Sequence, residues 1–280
     1  MRVVITGAAG MLGRDVVRAA QAENHEVVAL ARDELDLLDA EAVRAAIAAE
    51  RPGAVINCAA WTDVDGAEAD EAAATRLNGD AAGALAAAAA EAGAAIVHPS
   101  TDYVFDGSGT RPYVESDPTS PINAYGRSKL AGEHAVAAAN VRHFVVRTSW
   151  LFGANGRNFV ETMLGLASAG GPVLVVRDQV GCPTYTGHLA EALVRLVDGE
   201  SYGLHHIAGG GECSWFEFAN EIFERAATET RAMSCTSDEF PRPAPRPAYS
   251  VLRTERDYGL ELPPWQDGLA SYLAERAVTR

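Results

Sequence analysis

The sequence predicts an α/β protein in which a doubly wound parallel sheet is followed by a smaller α/β substrate-binding lobe. Three observations carry that expectation. Short β-branched runs alternate with helical patterns through the first half of the chain, the rhythm of a parallel sheet covered on both faces. A glycine-spaced string follows the first of these runs and opens the first helix. After Trp150 the alternation loosens, and a Pro-rich stretch at residues 241–250 cannot be helix interior.

Taken in order, residues 2–6 form a β-branched run and residues 11–22 an amphipathic helix. A strand at 26–31 and a helix at 40–50 come next. Further buried-strand candidates lie at 54–57, 94–98 and 143–147, separated by helices over about 70–92 and 124–139. The second half offers helices at 158–167, 187–197 and 215–227, strands at 173–176 and 204–207, and a last helix after Pro264. We expect a dinucleotide-binding unit over 1–150, to which later segments can return, and a mainly substrate-binding lobe over 151–280.

Composition narrows the function classes. A formal charge of −15 opposes nucleic acid and anionic membrane surfaces as partners. The most apolar-looking stretch, residues 81–97, is Ala-rich and interrupted by Glu91 and Gly93, so it reads as a packed helix running into a strand and not as a membrane span. Met1 leads directly into a strand, and the four cysteines (Cys58, Cys182, Cys213, Cys235) form no C-x-x-C pair. Reduced thiols in a cytoplasmic protein are the expectation. The seven histidines have no ligand spacing, and the adjacent His205 and His206 would face opposite sides of a strand. No metal site is assigned.

Four segments carry chemistry. The first, TGAAGMLGRDV, spaces Gly7, Gly10 and Gly13 as G-x-x-G-x-x-G, with Met11 and Leu12 between them. Placed between a strand and a helix, it suits a dinucleotide pyrophosphate in a Rossmann-type turn. The second ends the next strand with Arg32 followed by Asp33. An arginine there can pair with a 2′-phosphate and favours NADPH; Asp33 leaves NADH usable. The third, HPSTDYVFDG, brings the hydroxyl of Ser100 or Thr101 to a strand end, where ligands of open α/β sheets sit. The fourth is YGRSK. It holds the sole lysine of the chain, Lys129, against 22 arginines, four residues after Tyr125. Positions i and i+4 share a helix face, and a phenol beside an ammonium is an acid–base unit. Small residues at Cys58, Ala59 and Ala60 close the third strand and admit a cofactor.

This set resembles the extended short-chain dehydrogenase/reductase superfamily. The strings STDYVFDG, SPINAYGRSKLAGE, VRTSWLFG, DQVGCPTY and RPAYSVL are similar to the dTDP-4-dehydrorhamnose reductase family over nearly the whole chain. The resemblance implies a Thr101–Tyr125–Lys129 catalytic set in which Tyr125 gives its proton to a developing alkoxide and Lys129 lowers the tyrosine's pKa. It implies that Tyr125 and Lys129 also meet the cofactor, and that Asp36 and Leu37 flank the adenine. It further implies NADPH reduction of the 4-keto group of dTDP-6-deoxy-L-lyxo-4-hexulose to dTDP-L-rhamnose. Tyr103 and Trp150 would wall the sugar or nucleotide pocket, unless they are core aromatics, and Arg246 would reach the diphosphate.

Departures within the superfamily also inform. Related 4,6-dehydratases follow the strand-end Thr with an Asp-Glu pair; here the residues are Asp102 and Tyr103, so the elimination chemistry lacks its carboxylate pair. Some family members are dimers bridged by magnesium on glutamates. The corresponding position reads Gly187–His188, which argues against such a bridge and leaves a monomer or another homodimer. Two other readings stand: a 4-ketoreductase for a different deoxysugar, and a non-catalytic NADP-binding regulatory subunit of the methionine adenosyltransferase type.

Overall fold

In the computed structural model, which describes residues 1–257 and 259–278, the first half of the chain builds a six-stranded sheet. The strands are β1 (Arg2–Thr6), β2 (Glu26–Leu30), β3 (Ala54–Asn57), β4 (Ala95–Thr101), β5 (His143–Thr148) and, from the second half, β10 (Gly203–His206). They lie in the order β2-β1-β3-β4-β5-β10, and every pairing is parallel. Alternation along each strand sorts side chains to two cores. Val3, Ile5, Ile56 and Val97 pack on one face, and Val4, Val55, Ile96 and Val145 on the other. Helices α2 (Ala40–Glu50) and α5 (Ala82–Glu91) cover the second face. The first is covered by α1 (Met11–Ala22) and by α8 (Thr186–Val197), which arrives 164 residues later.

The expected helix over 70–92 runs through without interruption, but its middle turn is widened. It comprises α4 (Glu71–Thr75), a π-helical turn (Arg76–Ala81) and α5, with a separate α3 (Val64–Ala69) before it. Asn78 in that turn has a fixed task. Its Oδ1 accepts from the Trp61 N–H at 2.8 Å, while its Nδ2 donates to the Ser128 hydroxyl at 2.9 Å. Wider turns of this kind recur beside functional sites, and Ser128 lies on α6 (Ala124–Ala139) between Tyr125 and Lys129.

The rest of the chain forms β6 (Leu151–Phe152) paired with β9 (Thr184–Tyr185), β7 (Val173–Val176) with β12 (Ala232–Cys235), and β8 (Val180–Gly181) with β11 (Cys213–Ser214). With α7 (Phe159–Ala169), α9 (Trp215–Arg225) and α10 (Trp265–Val278) these enclose an aromatic core around Phe152, Phe218, Phe223 and Trp265. The division near residue 150 is therefore not a clean cut, because α8 and β10 lie in the first unit. From the Pro-rich segment onward the chain also returns across that unit: Asn123 Nδ2 donates to Pro245 O at 2.9 Å, and Tyr113 bridges Leu252. No helix among the described residues is long and apolar enough to cross a membrane.

Candidate active site

The chain leaves β1 for β2 on one side and later places β3 on the other, so the sheet's switch point lies between β1 and β3. Ligands of such sheets bind there, beyond the strands' carboxyl ends. Gly7 turns the chain at this point with φ of +65°, and a Cβ on it would stand 2.5 Å from the Ala59 nitrogen. A Cβ on Gly13 would stand 2.2 Å from Gly7 O. Both positions therefore require glycine. Gly10 caps α1 with no side-chain hydrogen bond and no acidic residue in the first turn. The helix thus offers its first N–H groups and positive end to an anion.

A cleft of about 680 Å³ opens from this helix end and continues to the ends of β4 and β5. Gly10, Met11, Leu12, Cys58 and Ala60 line one end; Thr101, Tyr103, Tyr125, Lys129 and Trp150 line the other. The sequence-predicted acid–base residues thus share one wall. Asn123 begins α6 by accepting from the Gly126 N–H at 2.7 Å, and a Cβ on Gly126 would stand 2.1 Å from Tyr103 O. That contact clamps the helix start, with Tyr125 on it, against the turn after β4.

The polar geometry around Tyr125 is specific. Thr101 Oγ1 donates to Asp102 Oδ1 at 3.1 Å, accepts from the Tyr103 N–H at 3.2 Å, and is within hydrogen-bonding reach of the Tyr125 hydroxyl. Ser250 donates to the other Asp102 oxygen. Burial pushes the Asp102 carboxyl up to about 7 despite the hydrogen bonds from Ser250 and Thr101. Burial, then the Asp102 charge, push Tyr125 up to about 12 against the Thr101 hydrogen bond. Lys129 is not among the groups that move Tyr125 here. The ammonium lines the cleft and donates to Pro99 O at 2.8 Å, with His98 Nε2 at 3.4 Å. Burial brings Lys129 itself down to about 8, against the pull of Glu133 and Cys58.

The family model described as the RmlD substrate binding domain matches residues 1–278. A dTDP-4-dehydrorhamnose reductase of Mycolicibacterium smegmatis is 46% identical over 98% of this chain and 85% of its own length. The chain belongs to the dTDP-4-dehydrorhamnose reductase family. It is also similar to a probable dTDP-4,6-dihydroxy-2-methyloxan-3-one 4-ketoreductase of Streptomyces antibioticus, 47% identical over 95% of this chain and 92% of the relative. The solved dTDP-4-dehydrorhamnose reductase of Bacillus anthracis, in complex with NADP, superposes with a TM-score of 0.95 at 38% identity, covering 98% of this chain and 99% of that one.

In this member of the dTDP-4-dehydrorhamnose reductase family, other expected residues sit apart from the cleft lining. Arg32 and Asp36 are exposed on the β2–α2 connection, and Leu37 is buried in the core beneath it. Arg246 stands behind Tyr103, paired with Asp65 and donating to Ala244 O at 2.6 Å. Burial pushes Asp65 up, but Arg246, the Ala244 N–H and Arg242 outweigh it and hold the carboxyl well below its usual range. Arg246 is therefore paired with Asp65 and is not among the cleft-lining residues, although it neighbours Tyr103, which is.

Other lining groups escaped the sequence reading. Trp215 stacks on Trp150 with centroids 3.5 Å apart and planes 4° from parallel. Trp150 holds φ of +47°, rare for an aromatic residue, and a Cβ on Gly181 would collide with its ring at 2.5 Å. Thr148 is 4% exposed and faces Thr101 in the β4–β5 register. Its hydroxyl has no hydrogen-bond partner among the described residues. Arg157 lines the cleft beside Gly156, against which Met11 packs. Trp215, at the start of an expected helix, and Arg157, in a loop, carry no local motif; Thr148 lies within VRTSWLFG, but nothing in that string singles out its hydroxyl.

Proposed function

We propose that the chain is an NADPH-dependent reductase that converts the 4-keto group of dTDP-6-deoxy-L-lyxo-4-hexulose to the hydroxyl of dTDP-L-rhamnose. The carrying observation is the placement of Tyr125, beside a Thr101 that donates to Asp102, in one cleft with the uncapped N-terminus of α1. Whole-length similarity to 4-ketoreductases of dTDP-sugars supports the same reading.

The glycine cradle fits a dinucleotide, because a side chain at Gly7 or Gly13 would fill the space its backbone leaves. NADPH, when bound, supplies the hydride that reaches the carbonyl carbon. The chain supplies the proton. Tyr125 gives its phenolic hydrogen to the carbonyl oxygen as negative charge develops there, completing the hydroxyl. A tyrosine raised to about 12 is fully protonated at neutral pH, the form a reduction consumes. Thr101 places a hydroxyl oxygen beside that phenol, and Lys129 places positive charge beside the reacting region. Trp150 and Trp215 supply a flat apolar wall suited to a sugar or base face. Arg32, exposed past the end of β2, is our candidate for the cofactor's 2′-phosphate.

The test is NADPH oxidation with the ketosugar generated from dTDP-glucose by a 4,6-dehydratase and a 3,5-epimerase. Oxidation that requires the epimerase and yields dTDP-L-rhamnose is expected. Oxidation without the epimerase would redirect the substrate to another deoxysugar, and NADPH binding with no oxidation under either condition would overturn the reductase reading.

A further inference from the structure

Behind the cleft a line of buried polar groups crosses three strands and ends on Lys129. Thr6 on β1, Asn57 on β3, His98 on β4 and Lys129 on α6 are 1%, 3%, 1% and 2% exposed. The hydrogen atoms along this line can be assigned from donors whose identity is not in question. The Ala59 backbone N–H donates to Asn57 Oδ1 at 3.2 Å, and Thr6 Oγ1 donates to the same oxygen at 2.7 Å. An N–H cannot face an NH₂ group, so the amide orientation of Asn57 is fixed. Its Nδ2 then points at His98 Nδ1, 3.2 Å away, and that ring nitrogen must accept. A neutral imidazole that accepts at Nδ1 carries its hydrogen on Nε2. Nε2 lies 3.4 Å from Lys129 Nζ. His98 is held neutral, well below its ordinary pKa, first by burial and then by the lysine charge.

We propose that His98 is a positioning residue for Lys129, locked by Asn57 with its proton on Nε2 so that it presents a donor to the lysine nitrogen. Two consequences follow from donor chemistry. The ammonium cannot spend an N–H on His98. One goes to Pro99 O at 2.8 Å, and the others turn to the cleft that Lys129 lines. The neutral amine, by contrast, has a lone pair that the Nε2–H satisfies. His98 therefore favours loss of the lysine proton, in the same direction as burial. The other groups facing Nζ are Cys58 past β3, with Tyr125 and Glu133 one turn to either side on α6. Glu133 is bound by Ser100 at 2.6 Å and by Arg147 at 2.9 and 2.7 Å, so its charge is largely neutralised in place. Gly132 packs beside the ring: a Cβ there would stand 2.1 Å from Asn78 O and 3.3 Å from His98 Nε2.

This inference rests on the reading of Lys129 as part of a reductase site, and its test separates the two. In the ¹⁵N-histidine spectrum of the full chain, His98, identified by its loss in His98→Gln, should appear as the Nε2–H tautomer throughout pH 6–9. The Nδ1–H tautomer, or an imidazolium, would overturn the proposal whether or not the chain turns over a ketosugar. In the kinetic arm, the alkaline limb of kcat/KM should fall near pH 8 in the native chain. It should move up by roughly one pH unit in His98→Gln, whose amide oxygen can accept from the ammonium. Asn57→Asp keeps the ring and the shape but makes its neighbour an acceptor. That variant should invert the tautomer in the spectrum and move the limb the same way. A limb that stays in place in a folded variant with the inverted tautomer would reduce His98 to a packing residue and end the proposal.

Discussion

The two walls of the cleft are built on opposite principles. One is polar, buried and titratable, assembled from β4 and α6: Thr101, Asp102 and Lys129 are each 6% exposed or less. The other is aromatic, with Trp150 and Trp215 stacked face to face and Trp150 in a left-handed backbone conformation. The polar wall gains its geometry from hydrogen bonds whose loss leaves buried groups unpaired, so small changes there cost much. The aromatic wall gains its geometry from shape and tolerates changes of polarity nearby. The difference teaches where chemistry and recognition reside: proton transfer on the first wall, substrate grip on the second.

That contrast can be broken at several points. The largest effect should come from beneath the polar wall, where Arg147 and Glu133 form a two-pronged ion pair with side chains 4% and 6% exposed. Arg147→Met would strand the Glu133 charge and should cost about 3–5 kcal/mol of stability by denaturant titration. A loss below 1 kcal/mol would show that the wall does not depend on buried polarity. Next, Tyr125→Phe should lower kcat by about a hundredfold or more while NADPH binding, read by titration calorimetry, persists. Full turnover would remove the tyrosine from the chemistry.

Trp215→Ala should act differently, raising KM for the sugar nucleotide by about three- to tenfold with kcat nearly unchanged, in line with the roughly 0.5–1.5 kcal/mol of an aromatic pair. A fall in kcat alone would place recognition and chemistry on the same wall. The smallest change should follow Thr148→Val. Removing a buried hydroxyl that has no partner among the described residues should raise stability by about 1 kcal/mol and lower kcat/KM by only a few-fold. Unchanged stability would mean that the hydroxyl is already satisfied.

The polar wall was also the legible one. Tyr125 and Lys129 fall on one helix at i and i+4, and Thr101 falls at the end of a strand readable from its apolar run, so local periodicity brings them together. The parallel sheet was legible for the same reason. What local pattern does not carry is contact between distant segments. Asp102 read only as the absence of a dehydratase pair; its partner Ser250 lies 148 residues on, and nothing near either residue marks the match. Trp215 meets Trp150 across 65 residues, beside the β8–β11 pairing. The direction of Lys129 was missed because it is set by His98 and Pro99 O, neither of them on its own helix. The π-helical turn within the expected helix over 70–92 was illegible for the same reason, since Asn78 reaches from it to Trp61 and Ser128.

The late returns of the chain also bear on its synthesis. The edge of the central sheet waits for β10 at Gly203–His206, one face of that sheet waits for α8, and Asp102 waits for Ser250 in a chain of 280 residues. A nascent chain on the ribosome that has passed Trp150 therefore holds a half-covered parallel sheet with an open edge, a form exposed to wrong pairing. The acid–base wall reaches its final hydrogen bonding only when nearly nine-tenths of the sequence has emerged.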